Sequence, residues 1–316
     1  MKKTSFLWSA IAALQILGLP LAVQAGEDGK ATQPAATTEK AAPLPLHTIE
    51  GVGGLVITPV AYLVNPGPAG TTFGLPATSV TYVNAGTKNV ETAAITETLF
   101  GRVELGYAAS RFGVGNLVND VKDATSIDIN DHVTVHNFNA RVLALPENSF
   151  DLPVPAVTVG AAYKYNDGIS DINNQLHGAL SSIGYKRDDG VDFTLTATKA
   201  FPKVFGRPLL VTAGLRLSEA EQLGYLGFGD KYRATFEGNV AYGITNWLWL
   251  ASEFRGKANA YQQIPGLVQR EDNWWTVGAA FIINPHATIT VGWGHFGPLL
   301  NTDENKGVAV QAKYEF

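Results

Sequence analysis

From Ser79 to the last residue, polar and apolar side chains alternate with a period of two. That period is the signature of strands whose two faces meet different surroundings, because successive Cβ atoms point to opposite sides. The last stretch, Gly307 to Phe316, sets the pattern: Val308, Val310, Tyr314 and Phe316 share one face and Gln311, Lys313 and Glu315 the other. Read backwards, the same alternation recurs in Ala287–Gly294, Asn273–Ile283, Trp247–Lys257, Tyr232–Tyr242, Leu209–Ser218 and Val191–Phe201. Ala156–Asn166, His132–Leu145, Arg102–Phe112 and a first hairpin of Ser79–Ala85 with Val90–Thr98 complete a set of twelve. Most run 10 to 12 residues, close to the ~9–11 a tilted strand needs to cross a bilayer. The soluble alternative, a β-sandwich, uses strands of about 5–6 residues.

Between the strands, short turns near Pro202, Gly243 and Asn284 alternate with long segments near Asp123, Asn174, Gly224, Gln263 and Asn301. This asymmetry is that of a barrel with short periplasmic turns and long external loops. Asp167–Gly190 is the exception to period two. Its Ile172, Leu176, Ala179, Leu180 and Ile183 have helical spacing, which predicts an external loop carrying a short helix. Tyr242, Trp247, Trp274, Trp275, Trp293, Tyr314 and Phe316 fall near strand ends, where an aromatic girdle belongs. The expected fold is all-β: a transmembrane antiparallel up-and-down barrel of about 12 strands over residues 79–316, with 14 if Gly51–Leu63 joins the sheet together with another re-read element.

Upstream of the barrel the pattern changes. Residues 1–25 read as a Sec signal peptide: basic Lys2-Lys3, an apolar core from Phe6 to Val23, and a small-x-small ending at Val23-Gln24-Ala25. Residues 26–46 are Ala-, Thr- and Pro-rich without a period and read as a disordered periplasmic linker. Residues 47–78 include the glycine-rich Glu50–Leu63, which lacks the Lys-Ser/Thr ending of a phosphate loop. Pro59 interrupts it as a strand, which favours a segment folded into the lumen over an extra strand.

Composition narrows the function classes. The chain of 316 residues has a net charge of −5, which gives no electrostatic case for nucleic acid. Cysteine is absent, which removes disulfides and thiolate metal sites. Charged residues on the expected inner wall are the candidate chemistry, since facing lipid would cost several kcal/mol each. They are Arg102, Glu104, Arg141, Lys164, Asp192, Arg216, Arg233, Glu237, Glu253, Arg255, Lys313 and Glu315. Among them Arg216, Arg233, Glu237, Glu253 and Arg255, with Lys164 and Arg141, are expected to line a lumen constriction or solute path. The other reading of the same residues is a salt-bridged filling that rigidifies a narrow barrel. No catalytic, cofactor or metal residues are expected. The acidic loop Asn119–Asp131 lacks EF-hand spacing. His132 and His136 stand about 13 Å apart on a strand, too far for one ion. His177, Ser181, His286 and His295 show no nucleophile, base and orienting group at readable spacing.

The terminal strand with its final Phe316 resembles the closing strand of Gram-negative outer-membrane barrels. The stretches Gly53–Leu63, Leu99–Tyr107, Tyr185–Lys199 and Phe205–Arg216 together resemble an uncharacterised proteobacterial family of outer-membrane β-barrels. That family is distantly like the barrels encoded near phenol meta-cleavage pathways, which are associated with hydrophobic solute uptake. The resemblance implies an outer-membrane location after Sec export with cleavage near Ala25. It also implies contact with outer-membrane lipids and lipopolysaccharide, and assembly by the barrel-assembly machinery through the C-terminal strand. It supplies no catalytic residues. The expected function is a narrow passive channel for small solutes. The alternatives are a plugged structural or receptor barrel that binds a partner through its external loops, and an outer-membrane lipid hydrolase.

Overall fold

The computed structural model describes residues 44–316 except 69 and 304. The signal peptide and nearly all of the linker expected from the sequence lie outside the described residues. Twelve antiparallel strands close into one barrel. In chain order they are β1 (Ala77–Ala85), β2 (Lys88–Leu99), β3 (Val103–Gly113), β4 (His132–Leu145), β5 (Ala156–Asp167) and β6 (Asp189–Val204). Then follow β7 (Arg207–Ala220), β8 (Phe228–Gly243), β9 (Leu248–Arg255), β10 (Trp274–Asn284), β11 (Ala287–His295) and β12 (Lys306–Glu315). Each pairs with its sequence neighbours, and β12 closes on β1 from Gly307↔Ala85 to Glu315↔Ala77. Closure removes the edge strands that lipid would leave unpaired. No described helix is long and apolar enough to span a bilayer; the strands do so.

The period-two pattern sorts the side chains as expected of a lipid-facing barrel. Val80, Leu105, Phe138, Val159, Phe193, Phe236, Leu250, Val291 and Val310 are exposed on the outside. Thr92, Asn137, Lys164, Asp192, Arg216, Glu253 and Gln311 are buried on the inside. An apolar band outside a polar lumen is the arrangement of an outer-membrane β-barrel. Two expected positions are corrected. Trp274 is buried rather than in the girdle, edge-on to Phe296 and under the Lys257 ammonium. Arg102 sits exposed in the β2–β3 turn, not on the inner wall.

The ends of the barrel differ. At the C-terminal end the connections 100–102, 205–206, 244–247 and 285–286 are short, and 146–155 is the one longer turn. At the other end, apart from the Gly86-Thr87 hairpin, they run from seven residues (221–227) to twenty-one (168–188) and fold over the mouth. They carry α1 (Leu117–Thr125), α2 (Ile169–Gln175) and α3 (Ala179–Ile183). The helical spacing in Asp167–Gly190 corresponds to α2 and α3. α1 was not anticipated, because only Leu117 and Val121 of its residues are buried. Leu117, Val121, Ile172, Leu180, Leu226, Tyr261, Phe296 and Leu300 belong to one buried apolar cluster, a lid.

Residues 44–66 lie inside the barrel. Pro45 carbonyl meets Lys313 near the C-terminal end, His47 meets Gln311 further in, and Glu50 reaches Lys164 on β5. The segment then returns: Ala61 N–H donates to Thr198, Tyr62 Oη to Glu147 in the β4–β5 turn, and Asn65 reaches the Phe316 carbonyl. A two-residue pairing of Leu46–His47 with Gly53–Gly54 holds the two limbs together. Glycine permits the close fit to the wall. Gly51 has φ +78°, and a Cβ on Gly106 of β3 would stand 2.4 Å from the Gly51 carbonyl oxygen.

Candidate functional site: the plug latch

The inner wall and the plug meet through three polar groups of contacts. In the first, Glu50 is the centre. Its carboxylate takes Lys164 Nζ at 2.5 Å, Arg216 Nη2 at 3.3 Å and Arg255 Nη1. The two basic groups on β5 and β7 also share Asp192 on β6, at 2.7 Å from Lys164 and 3.0 Å from Arg216. Arg216 completes its fork on Glu237 of β8 at 3.2 Å. Three cations (Lys164, Arg216, Arg255) therefore face three carboxylates (Glu50, Asp192, Glu237), and all six are buried. Such an array holds only when each charge has its partner. Without Glu50 the wall would keep three cations and two carboxylates.

In the second group, Glu253 of β9 binds the plug's tip without a basic partner among the described contacts. One oxygen accepts from Val56 N–H at 3.1 Å and Thr276 Oγ1 at 2.9 Å. The other accepts from Ile57 N–H at 2.9 Å and from Thr58 N–H and Oγ1, both at 2.8 Å. Five donors converge on one carboxylate, three of them backbone N–H groups that would otherwise be buried unpaired. Arg255 Nη1 supports the same turn by donating to the Ile57 carbonyl at 3.0 Å.

In the third group, Glu104 of β3 and Arg141 of β4 form a two-pronged ion pair at 2.8 Å on both prongs. Glu104 accepts the N–H of Gly53 and Val64, both on the returning limb of the plug. Arg141 donates to the carbonyls of Val60 and Tyr62. The planar guanidinium suits this bidentate use.

Of the seven residues singled out from sequence, Arg141, Lys164, Arg216, Glu237, Glu253 and Arg255 are buried and either touch the plug or neutralise a group that does. Arg233 does not join them. It is half-buried nearer the lid, where it donates to the carbonyls of Lys231 and Ala260. Glu50 is the group the sequence reading did not reach; Glu104 and Asp192 were placed on the inner wall but left out of the seven. With Arg102 and Arg233 off the inner wall, the expected wall charges balance at five cations and five carboxylates, so charge counting alone did not call for Glu50.

The hydrolase alternative finds no support in the expected residues: Ser181 Oγ accepts from Asn173 Nδ2, and His286 meets the Glu315 carbonyl. One Ser–His contact does exist, His47 Nδ1 to Ser79 Oγ at 2.9 Å, with Thr96 at the other ring nitrogen. His47 is fully buried in the plug, away from lipid or water.

Solved barrels share the outline only. The KdgM porin aligns at 11% identity over 76% of this chain and 99% of its own, with a TM-score of 0.46. Omp33 of Acinetobacter baumannii aligns at 10% identity over 78% and 99%, TM-score 0.40. The toluene transporter TodX of Pseudomonas putida aligns at 10% over 88% and 99%, TM-score 0.40. No curated protein matches the sequence. A family model described as "Protein of unknown function (DUF3034)" matches residues 45–313, from the first turn of the plug to Lys313 in the closing strand. The span includes plug and wall alike, and the chain belongs to that family.

Proposed function

We propose that this protein is an outer-membrane conduit for small solutes, held shut by the 44–66 plug in the state described above. The observation that supports this reading is the chemistry of the plug's seat. Its polar anchors run from Glu50 and the plug backbone to Glu104, Arg141, Lys164, Arg216, Glu253 and Arg255, beside an apolar seam in which Ile49, Val56 and Ile57 pack with the lid residues. Charged groups of this kind are re-solvated when water enters a lumen, so withdrawal of the plug has a lower cost than exposing an equal area of hydrocarbon. The vacated wall would carry mixed charge, as selective aqueous pores do. On this reading Arg141, Lys164, Arg216, Glu237, Glu253 and Arg255 serve first as a latch and then as the solute path, with Arg233 at its outer end. Sec export with cleavage near Ala25, contact with lipopolysaccharide and insertion by the barrel-assembly machinery through β12 belong to the same proposal.

The test is single-channel recording of the full chain refolded into a planar bilayer. It is compared with a variant lacking residues 44–66 and the lid stretch 260–268. The wild type is expected to be silent for most of the record, and the double deletion to give discrete steps. A double deletion that is folded by its heat-modifiable gel mobility and still silent would overturn the conduit. It would leave a receptor or structural barrel whose loops bind a partner.

A further inference from the structure

The plug does not fill the lumen evenly. Along β8–β12 the strand register sets Ala241, Ala251, Gly278, Gly292 and Ala309 in one transverse row. Their parity is that of the inner face, and Ala241 and Ala309 are buried there. Small residues in a row leave room, and a cavity of about 150 Å³ lies between this wall and the plug. Leu46, Leu55 and Val56 bound it from the plug, Trp249 and Ala251 from the wall, and Phe296 from the lid end. Leu46, Leu55, Trp249 and Ala251 belong to a small apolar cluster separate from the lid's. Apolar cavities of this size in proteins admit a benzene-sized molecule.

Two polar atoms on this lining lack partners. Asn239 and Thr290 are each only 5% exposed, and both line the cavity. Asn239 Nδ2 donates to Thr58 Oγ1 and to the Pro59 carbonyl, which can only accept, so the amide orientation is fixed. That leaves Asn239 Oδ1 without a hydrogen bond, and Thr290 Oγ1 also has none. Buried polar atoms are ordinarily paired. An apolar cavity with unpaired polar atoms on its rim is built for a ligand that is mostly hydrocarbon and carries a polar group.

We infer that this cavity is a binding site for a small, ring-sized apolar molecule bearing one hydroxyl or carbonyl, with Thr290 giving the hydrogen bond or taking it. The plug supplies part of the site's wall, so the site is complete only while the plug is seated. Occupancy therefore favours the seated state by mass action. The inference stands apart from the conduit reading: binding is measured on the closed protein, and no conduction is needed to observe it.

The probes are 4-fluorobenzyl alcohol and 4-fluorotoluene, which differ by one hydroxyl, followed by fluorine NMR on the full chain in detergent micelles. Micelles without protein provide the partition baseline. Saturable binding of both probes is expected, with the alcohol tighter. Ala251→Leu, which fills the cavity, is expected to abolish saturable binding of both. Ala309→Leu, on another strand of the same wall, serves the same purpose if the first variant does not fold. Thr290→Val is expected to weaken the alcohol about fivefold, the scale of one neutral hydrogen bond, and to leave 4-fluorotoluene unchanged. Binding no greater than to empty micelles, or saturable binding that survives a folded cavity-filling variant, would overturn the site. Equal loss of both probes in Thr290→Val would overturn the role given to the hydroxyl.

Discussion

The two closures of this barrel share an apolar seam at Ile49, Val56 and Ile57 but differ in what else holds them. The lid over the long-loop mouth is apolar: α1, α2, α3 and three further loops contribute Leu117, Ile172, Leu180, Leu226, Tyr261, Phe296 and Leu300 to one buried cluster. The plug on the other side is latched by charges, with Glu50 among Lys164, Arg216 and Arg255. A hydrophobic cluster loses stability in proportion to the area or volume removed, wherever in the cluster the removal falls. A buried charge array instead depends on neutrality, so one missing carboxylate affects every partner it had. The lid should therefore weaken gradually and locally, and the plug should fail at single residues. They meet at Lys164, whose ammonium touches both Glu50 and the carbonyl of Leu223 in the lid, and at Ile49, Val56 and Ile57, which lie in the lid's apolar cluster.

The largest expected effect is that of Glu50→Ala. It leaves three buried cations facing two carboxylates, and breaking a buried ion pair from one side costs about 3–5 kcal/mol. The chain has no cysteine, so Ile57→Cys, buried in the plug, gives a clean reporter. Its maleimide labelling is expected to rise by about two to three orders of magnitude when Glu50→Ala is added. Unchanged labelling would mean that the plug is held by shape, and the contrast with the lid would fail.

Leu180→Ala tests the other side. Leu180 is buried in α3, and truncating a buried leucine costs roughly 3 kcal/mol. Hydrogen exchange over residues 169–183 is expected to accelerate far more than labelling at Ile57→Cys, a position that shares the apolar cluster with Leu180 but is also held by Glu253. Plug labelling that rises as much as lid exchange would show the two closures to be one cooperative unit.

Glu253→Gln is a smaller change at the same latch. The amide retains one oxygen but presents an NH2 to donors that the carboxylate accepted, so at least one plug N–H at Val56, Ile57 or Thr58 loses its acceptor. The cost of one buried unpaired N–H is about 1–3 kcal/mol. Labelling at Ile57→Cys is expected to rise by less than in Glu50→Ala. The reverse order would place the main hold at the tip rather than at the charge array.

How much of this was legible in the sequence divides along the same line. Strand number, strand order and outward face follow from a period of two, and that period survives because lipid and lumen sort every second side chain. The helices of the second long loop were legible because Ile172, Leu176, Leu180 and Ile183 keep helical spacing. The long ends of β6 and β8, each 16 residues, were not: beyond the bilayer, neither face imposes a pattern. Trp274 was misplaced for a related reason, since position near a strand end does not say whether the end faces lipid or lid. The latch was half legible. Eight of its wall residues could be placed on the inner face from parity alone, but which plug carboxylate joins them is a matter of three-dimensional approach. Glu50 sits in a segment whose glycines and Pro59 erase periodicity.

The last test is pH, and it acts on the lid through Glu221. In the lid, Glu221 follows the end of β7 and is buried; its carboxylate accepts from the N–H groups of Ala260 and Tyr261. Burial, and then the charge of the neighbouring Glu271, raise its pKa to about 9. A carboxyl raised in this way holds its proton in the closed lid at pH values where the opened loop has released it, so the opened form binds fewer protons and closure weakens as pH rises. The change begins near the ordinary carboxyl value of about 4.5 and is complete near 9. Lys257, which pairs with Glu271 at 2.6 Å, is shifted down by burial and pulls in the opposite direction at the alkaline end. The expected outcome is faster hydrogen exchange in residues 221–227 and 256–273 at pH 8 than at pH 5, after correction for intrinsic rates, with the slope reduced in Glu221→Gln. An unaltered slope in that variant would remove Glu221 as the titrating group and leave the lid's closure to its apolar cluster alone.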